Sequence, residues 1–450
     1  MLRQRISEIA LSAIIGLIIY WAFYYIYKES ISPILSYMGY NYEELTFGVH
    51  AIAIGFFLLP LLWLPIKPQR ASDMTIWLLY MFSYVPTCFM CFHIMEDPFP
   101  DAMFLLVVLL TALIIVDLAR RHRITLNFHL NVPINIPLDN IIVISSVLLC
   151  CYIVYLTKND FTLNFGDVYE RRLAVRGSSS VLTGYILAFG RSVIIVFSVY
   201  IAFVKKSKIA FLALTILSIG TFAYDGTKSS LLVPVFLILV YFLTVCKKSN
   251  LTLNIILLFI ILVSIIEFVS LNSSITSIFF TRRIFAGPGH LNTLFWEYFL
   301  VHDKVMMADS IASIFTDTSY GTSPTFIIGY EYFRNVDLNA NTGIWMGGYA
   351  HFGIIGVVLV STIAGLIIGL IDNMTRERFK ILGFLVCSYI GILWAEQMLH
   401  TSMLTGGIFY IFIFLLVYCN ASTSRNDAVS FTVQNQCCPV KIGSPAAPHF

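Results

Sequence analysis

The sequence predicts an all-α, polytopic integral membrane protein of about 12 transmembrane helices, with one large periplasmic loop between helices 9 and 10. Three observations carry that expectation. Of 450 residues, 58% are hydrophobic and only 12% charged, about half the charged share of a soluble domain. Long apolar runs recur along the chain. Short basic connections alternate between them with others such as 95–101, which has no basic residue. This composition excludes a soluble enzyme, a disordered protein and a nucleic-acid binder with a basic face. The net charge of +3 says little; the placement of the charges says more.

In chain order the apolar runs lie near residues 9–26, 47–66, 74–94, 99–116, 138–156 and 181–204. Six more lie near 209–223, 231–245, 253–271, 345–371, 381–395 and 403–417. Each is expected to be helical, because lipid offers a backbone N–H or C=O no partner outside its own segment. The alternating strands of an outer-membrane barrel are absent from the pattern. One set of connections holds Arg3 and Arg5, Lys67 and Arg70, then Arg120, Arg121 and Arg123. It continues with Lys205, Lys206 and Lys208, Lys247 and Lys248, then Arg376, Arg378 and Lys380. The intervening stretch 95–101 carries Glu96, Asp97 and Asp101 and no basic residue. The positive-inside rule then puts the basic set, and both termini, in the cytoplasm. The first apolar stretch reads as a span and not as a cleaved signal peptide. Residues 1–418 are expected to form a single transmembrane domain, and 419–450, rich in Ser, Asn, Ala and Pro, a flexible cytoplasmic tail. The nine cysteines give no disulfide framework, and Cys88 and Cys91 share an apolar helix in which a zinc or redox role is not expected.

Two external loops break the topological rule. Loop 157–180 carries Asp167, Tyr169, Glu170, Arg171, Arg172 and Arg176, and loop 272–344 carries Arg282, Arg283, Lys304 and Arg334. Basic residues outside the cytoplasm are either solvated charges paired with Asp167, Glu170 or Glu331, or an anion site. Guanidinium binds phosphate through two parallel hydrogen bonds and keeps its proton at neutral pH. Arg191 lies mid-span, where a charge needs a polar cavity or a partner; Glu267 and Glu396 are the candidate partners. The connection Asp225-Gly226-Thr227-Lys228 adds another external cation. In the second loop, the turn Ala286-Gly287-Pro288-Gly289-His290 precedes Leu294-Phe295-Trp296-Glu297-Tyr298-Phe299. That stretch reads as an amphipathic helix on the membrane surface with its rings at headgroup level. Asn341-Thr342-Gly343 leads into Tyr349 and Gly353, whose small neighbours permit close helix packing.

Taken in order, these segments resemble the O-antigen polymerases, the Wzy-type enzymes of bacterial inner membranes that polymerise oligosaccharide repeat units. The likeness rests on Val168-Tyr169-Glu170-Arg171-Arg172, on Asp225 to Leu232, on Arg282 to Gly289, on Glu297-Tyr298-Phe299, and on Asn341 to Gly353. The resemblance implies a glycosyltransferase at the periplasmic face. Its donor is a glycan on undecaprenyl pyrophosphate, its acceptor the next lipid-linked unit, and its product O-antigen of lipopolysaccharide or a related surface polysaccharide. It further implies a chain-length regulator and a flippase as partners, contact with membrane lipid, and no nucleic acid. Such chemistry needs cations for the leaving pyrophosphate and a base for the attacking hydroxyl. Arg172, Arg176, Arg282 and Arg283 are expected to bind pyrophosphate, with Arg191 and Lys228 as second choices. His290, Asp225 and Glu297 are the candidates for the base, and Tyr169, Tyr298, Asn341 and Tyr349 for substrate contact. No acidic cluster or histidine spacing suggests a metal, and no cofactor is expected. The rival readings are a lipid-linked oligosaccharide flippase, an O-antigen ligase and a nonenzymatic assembly partner.

Overall fold

The computed structural model describes residues 2–95, 98–122, 138–157, 175, 180–308, 320–375 and 377–420. Among them all regular structure is helical, in the order α1 (Arg5–Met38), α2 (Phe47–Leu62), α3 (Ser72–Ile94), α4 (Phe99–Arg121), α5 (Leu138–Thr157), α6 (Leu182–Val204) and α7 (Lys208–Asp225). Then follow α8 (Ser229–Val245), α9 (Leu251–Leu271), α10 (Gly287–Val301), α11 (Pro324–Phe333), α12 (Ile344–Met374), α13 (Lys380–Glu396) and α14 (Ile408–Asn420). Each apolar run marked in the sequence is helical over most of its length, and the last, 403–417, is interrupted at 405–407. Among the described residues eight helices (α1, α3, α4, α5, α6, α7, α9 and α12) are long and apolar enough to cross a membrane; α2, α8 and α14 are apolar but shorter. This is a helical membrane protein. The last helix runs to Asn420; residues 421–450, the expected tail, lie outside the described residues.

α3 is the centre of the bundle and is buried almost throughout, whereas little of α5 and α9 is fully buried. The first half of α3 packs on α13 and the second half on α10, while α4 packs along α12, α5 against α7 and α1 against α9. Among the described residues four helical segments widen into π-turns, and three of them, Tyr27–Ile31, Tyr80–Tyr84 and Ser277–Ala286, share a feature. A proline follows two residues after each: Pro33, Pro86 and Pro288. Proline has no N–H and its ring collides with the carbonyl four residues back. Those carbonyls belong to Glu29, Phe82 and Ile284, all inside the widened turns, and the wider turn moves them off the ring. The relation runs one way only, since Gly190–Ile194 is a π-turn without a following proline and Pro234 sits inside α8 without a π-turn.

α12 is broken rather than continuous. Phe352 (φ −135°, ψ 18°) and Gly353 (φ +61°, ψ −147°) leave the helical region, and the second of these conformations is open in practice only to glycine. The break frees carbonyls at the end of the first half. Segment 305–306 takes them up: the Val305 N–H donates to the Ala350 carbonyl at 3.0 Å and the Met306 N–H to that of His351 at 3.2 Å.

The segment 272–344 is not an open loop. It forms the π-turn Ser277–Ala286, then α10 and α11. α10 does not lie on the membrane surface either, because Phe295, Trp296 and Phe299 have no exposed surface and the helix is wedged between α3 and α12. The reason is in its own sequence: Glu297 is the one charged residue of α10, and a helix that is apolar all round is buried. Gly289 permits the approach, since a Cβ there would lie 2.4 Å from the Pro86 carbonyl oxygen.

A buried ionic cluster joins α3, α4 and α12 at their predicted cytoplasmic ends. Arg120, 5% exposed, contacts Asp73 Oδ1 at 2.6 Å and Asp117 Oδ1 at 2.6 Å, and donates to Ser72 Oγ at 2.8 Å. Ser72 in turn donates its N–H and hydroxyl to Asp372 at 2.9 and 2.5 Å, and Asp73 also accepts the Gln69 and Arg70 N–H groups at 2.7 and 2.8 Å.

Candidate functional site

The π-turn Ser277–Ala286 carries Arg282 and Arg283 inward from α9. Its start is tied down by Glu267, which accepts the Thr276 N–H at 2.8 Å, the Ile275 N–H at 3.1 Å and the Ser273 hydroxyl at 2.5 Å. Glu267 is thus a capping carboxylate, engaged with backbone. Arg282 is half-buried and Arg283 exposed. Among the described residues no carboxylate lies within ion-pair distance of either. Arg282 Nε donates to the Ile278 carbonyl at 3.2 Å, and its guanidinium carbon lies 5.9 Å from the centre of the Tyr40 ring.

His290 sits two turns further on, near the start of α10, with 0% exposure. Neither ring nitrogen has a hydrogen-bond partner among the described residues. The Tyr40 ring covers it at a centroid distance of 4.1 Å, tilted 54°, and Phe333 of α11 approaches edge-on at 5.9 Å. Burial, with Arg282 adding repulsion, pushes the imidazole down to about 3, so the ring is neutral at physiological pH. Burying a polar group without a partner costs about 1–3 kcal/mol. Here a base and a cation, neither partnered by a side chain of opposite function among the described residues, lie close together, and the phenol beside both comes from the other end of the chain.

Immediately beyond His290, α10 is held by a satisfied network. Asn292 Nδ2 donates to Thr87 Oγ1 at 2.9 Å and Ser83 Oγ at 3.1 Å, while Thr342 Oγ1 donates to Asn292 Oδ1 at 2.9 Å. Proline's widened turn in α3 supplies Ser83, so the backbone irregularity and the α10 anchor are one feature. Further along, Trp296 stacks on Tyr349 at 4.4 Å with a 23° interplanar angle. The Lys304 ammonium lies 4.3 Å above the other aromatic partner, the Tyr349 ring, and donates to the Phe299 carbonyl. Burial lowers the Lys304 pKa, against the pull of Asp303.

The remaining sequence candidates fall at several places. Glu297 is half-buried and accepts from the Tyr332 hydroxyl at 3.2 Å, facing α11. Tyr298 stacks on His302 at 3.9 Å. Asp225 accepts the Thr227 N–H at 2.8 Å, which makes it a turn-former between α7 and α8. Lys228 reaches the Arg282 segment, with its ammonium 4.9 Å over the Phe279 ring. Asn341 is exposed while its neighbour Thr342 enters the α10 network. Tyr349 is 4% exposed, beneath Lys304 rather than open at the mouth of a span. Arg334 pairs loosely with Glu331 at 4.0 Å. Tyr169, Arg172 and Arg176 lie outside the described residues. The backbone of Arg191 occupies the π-turn Gly190–Ile194, and its side chain lies outside the description.

The sequence reading missed Tyr40, Asn292 and Trp296, and it counted Lys304 only as a loop charge. A signal existed for Tyr40: the turn Met38-Gly39-Tyr40 places an aromatic residue after a glycine in an otherwise polar connection. Among the described residues no group of three His, Cys, Asp or Glu could hold a metal ion. Comparisons with protein-family models, curated proteins and solved structures gave no match for this chain.

Proposed function

We propose that this chain is an inner-membrane glycosyltransferase of the O-antigen polymerase type, with about 12 spans and both termini in the cytoplasm. It joins oligosaccharide repeat units carried on undecaprenyl pyrophosphate at the periplasmic face. The observation that supports this reading best is the pairing of Arg282 with His290, a buried imidazole; among the described residues Arg282 has no carboxylate partner and His290 no hydrogen bond. In the transfer, the bond from sugar C1 to the pyrophosphate oxygen breaks as the acceptor hydroxyl oxygen bonds to C1. The bond's electron pair leaves on the pyrophosphate, and the hydroxyl proton passes to His290. Arg282 and Arg283 neutralise the leaving pyrophosphate, with Lys228 behind them and Arg172, Arg176 and Arg191 as further cations. A diphosphate held by Arg282 also offsets the repulsion that Arg282 exerts on a protonated imidazole. His290 becomes a useful base only with substrate bound.

The test is to incubate the purified protein with undecaprenyl-pyrophosphate-linked repeat units. A polymer ladder from the wild type and none from Arg282→Ala is the expected result, and no polymer without a second protein would sink the reading. One observation favours a second reading. The break at Phe352–Gly353 is of the kind transporters use to line a site at mid-membrane, which suits a flippase for the same lipid-linked units. Lipopolysaccharide from a deletion strain separates the alternatives. Loss of a polymerase leaves core capped by a single unit, and loss of a flippase or an O-antigen ligase leaves bare core.

A further inference from the structure

The loop between α1 and α2 lies more than 240 residues before Arg282 in sequence, yet one of its side chains enters the candidate site. The helical turn Ser36–Met38 ends on Gly39, whose φ of +78° lies in the left-handed region that favours glycine. The reversal is fixed by the Gly39 N–H donating to the Ser36 carbonyl at 2.9 Å and the Tyr40 N–H to that of Leu35 at 3.4 Å. It drives Tyr40 inward to 4% exposure, while Asn41, Glu43 and Glu44 beside it stay in solvent. A Cβ on Gly39 would stand 3.3 Å from His290 Nε2, so the Gly39 backbone covers one edge of the imidazole and the Tyr40 ring covers its face. The Tyr40 hydroxyl lies on the Arg282 side, 3.8 Å from where a Gly287 Cβ would be, at the junction of the π-turn and α10.

We infer that Tyr40 is a positioning residue of the transfer site: its ring fixes the plane of the His290 imidazole and its hydroxyl orients the Arg282 guanidinium toward the diphosphate of the donor. The inference rests on the roles given above to Arg282 and His290. It makes the first loop part of a site otherwise built from the segment after α9. The two functions of the side chain separate chemically. Tyr40→Phe keeps the ring and loses the hydroxyl, and Tyr40→Leu loses both.

Full-length protein purified in detergent tests this through undecaprenyl pyrophosphate affinity, steady-state kinetics with lipid-linked units, and the rate at which diethyl pyrocarbonate modifies His290. Tyr40→Phe should raise KM and weaken undecaprenyl pyrophosphate binding about tenfold, as expected for losing a polar group beside a charged one. Its kcat should stay within about twofold, and His290 should remain protected. Tyr40→Leu should lower kcat about tenfold or more and leave His290 open to the reagent. Wild-type affinity and KM in Tyr40→Phe would overturn the inference even if Tyr40→Leu fails to fold. If the wild type polymerises and both Tyr40 variants match it, the inference fails and the polymerase reading stands. If undecaprenyl pyrophosphate binds in a Tyr40-dependent way but no polymer forms, the polymerase reading fails and the role of Tyr40 in holding the anion stands.

Discussion

Two buried polar clusters flank the central helix α3, and their chemistry is handled in opposite ways. Near Ser72, the guanidinium of Arg120 meets Asp73, Asp117 and Ser72, and Asp372 closes the set through Ser72. About four helical turns along α3, or roughly 20 Å, His290 lies under Tyr40 with no partner for either nitrogen, and Arg282 faces it without a carboxylate among the described residues. The first cluster is complete by itself and binds three helices together. The second is left incomplete in a protein that could have filled it with apolar side chains. Polar groups that satisfy one another specify structure, whereas in the proposed function the buried base and the cation beside it await the donor's diphosphate.

That contrast can be broken by substitution. The largest effect belongs to the complete cluster. Arg120→Ala strands the buried Asp73 without its cation, leaves Asp117 only the exposed Arg121, and should lower stability by about 3–5 kcal/mol, read as a fall in Tm and yield in detergent. Arg282→Ala should do the reverse. Stability should change by less than about 1 kcal/mol, because the side chain has no ion pair to lose. Transfer should fall about 10³-fold or more, from loss of the charge that meets the leaving pyrophosphate. Asn292→Ala removes the anchor between α10 and α3 and leaves Thr87, Ser83 and Thr342 short of a partner, costing about 1–3 kcal/mol.

The smallest effect is at His290 itself. The imidazole is held at about 3 in the folded protein, below its value of about 6.5 in an unfolded chain. Between those values the unfolded chain binds a proton that the folded one does not, so stability falls as pH drops through that window. At pH 5 the loss is about 2 kcal/mol. His290→Phe should flatten that slope of Tm against pH. At pH 7 it should be neutral or slightly stabilising, since two unpartnered nitrogens disappear. A steeper acid slope in His290→Phe would show that the ring is partnered after all.

How much of this could be read in the sequence differs between the two clusters. The helical segments were legible because lipid demands long apolar runs, and each marked run is helical over most of its length. Arg120 was legible as a charge at a helix end but not as a buried one, because counting loop charges takes no account of what faces them. Arg282 and His290 were singled out from local chemistry, as an external arginine pair and a turn histidine. Their meeting with Tyr40 was not legible, since the periodicity of one helix carries no information about a loop hundreds of residues away. α10 was misjudged for a related reason: Trp and Tyr mark membrane interfaces and buried cores alike, and only the neighbours decide.

The central claim is that the incomplete cluster is the working site. Its most direct measurement is polymer formed from undecaprenyl-pyrophosphate-linked units by purified wild type, Arg282→Ala and His290→Phe at equal amounts of folded protein. The account predicts a ladder from the wild type, none from Arg282→Ala and little from His290→Phe, with Tm in both variants at or near the wild-type value. Wild-type ladders from both variants would contradict it.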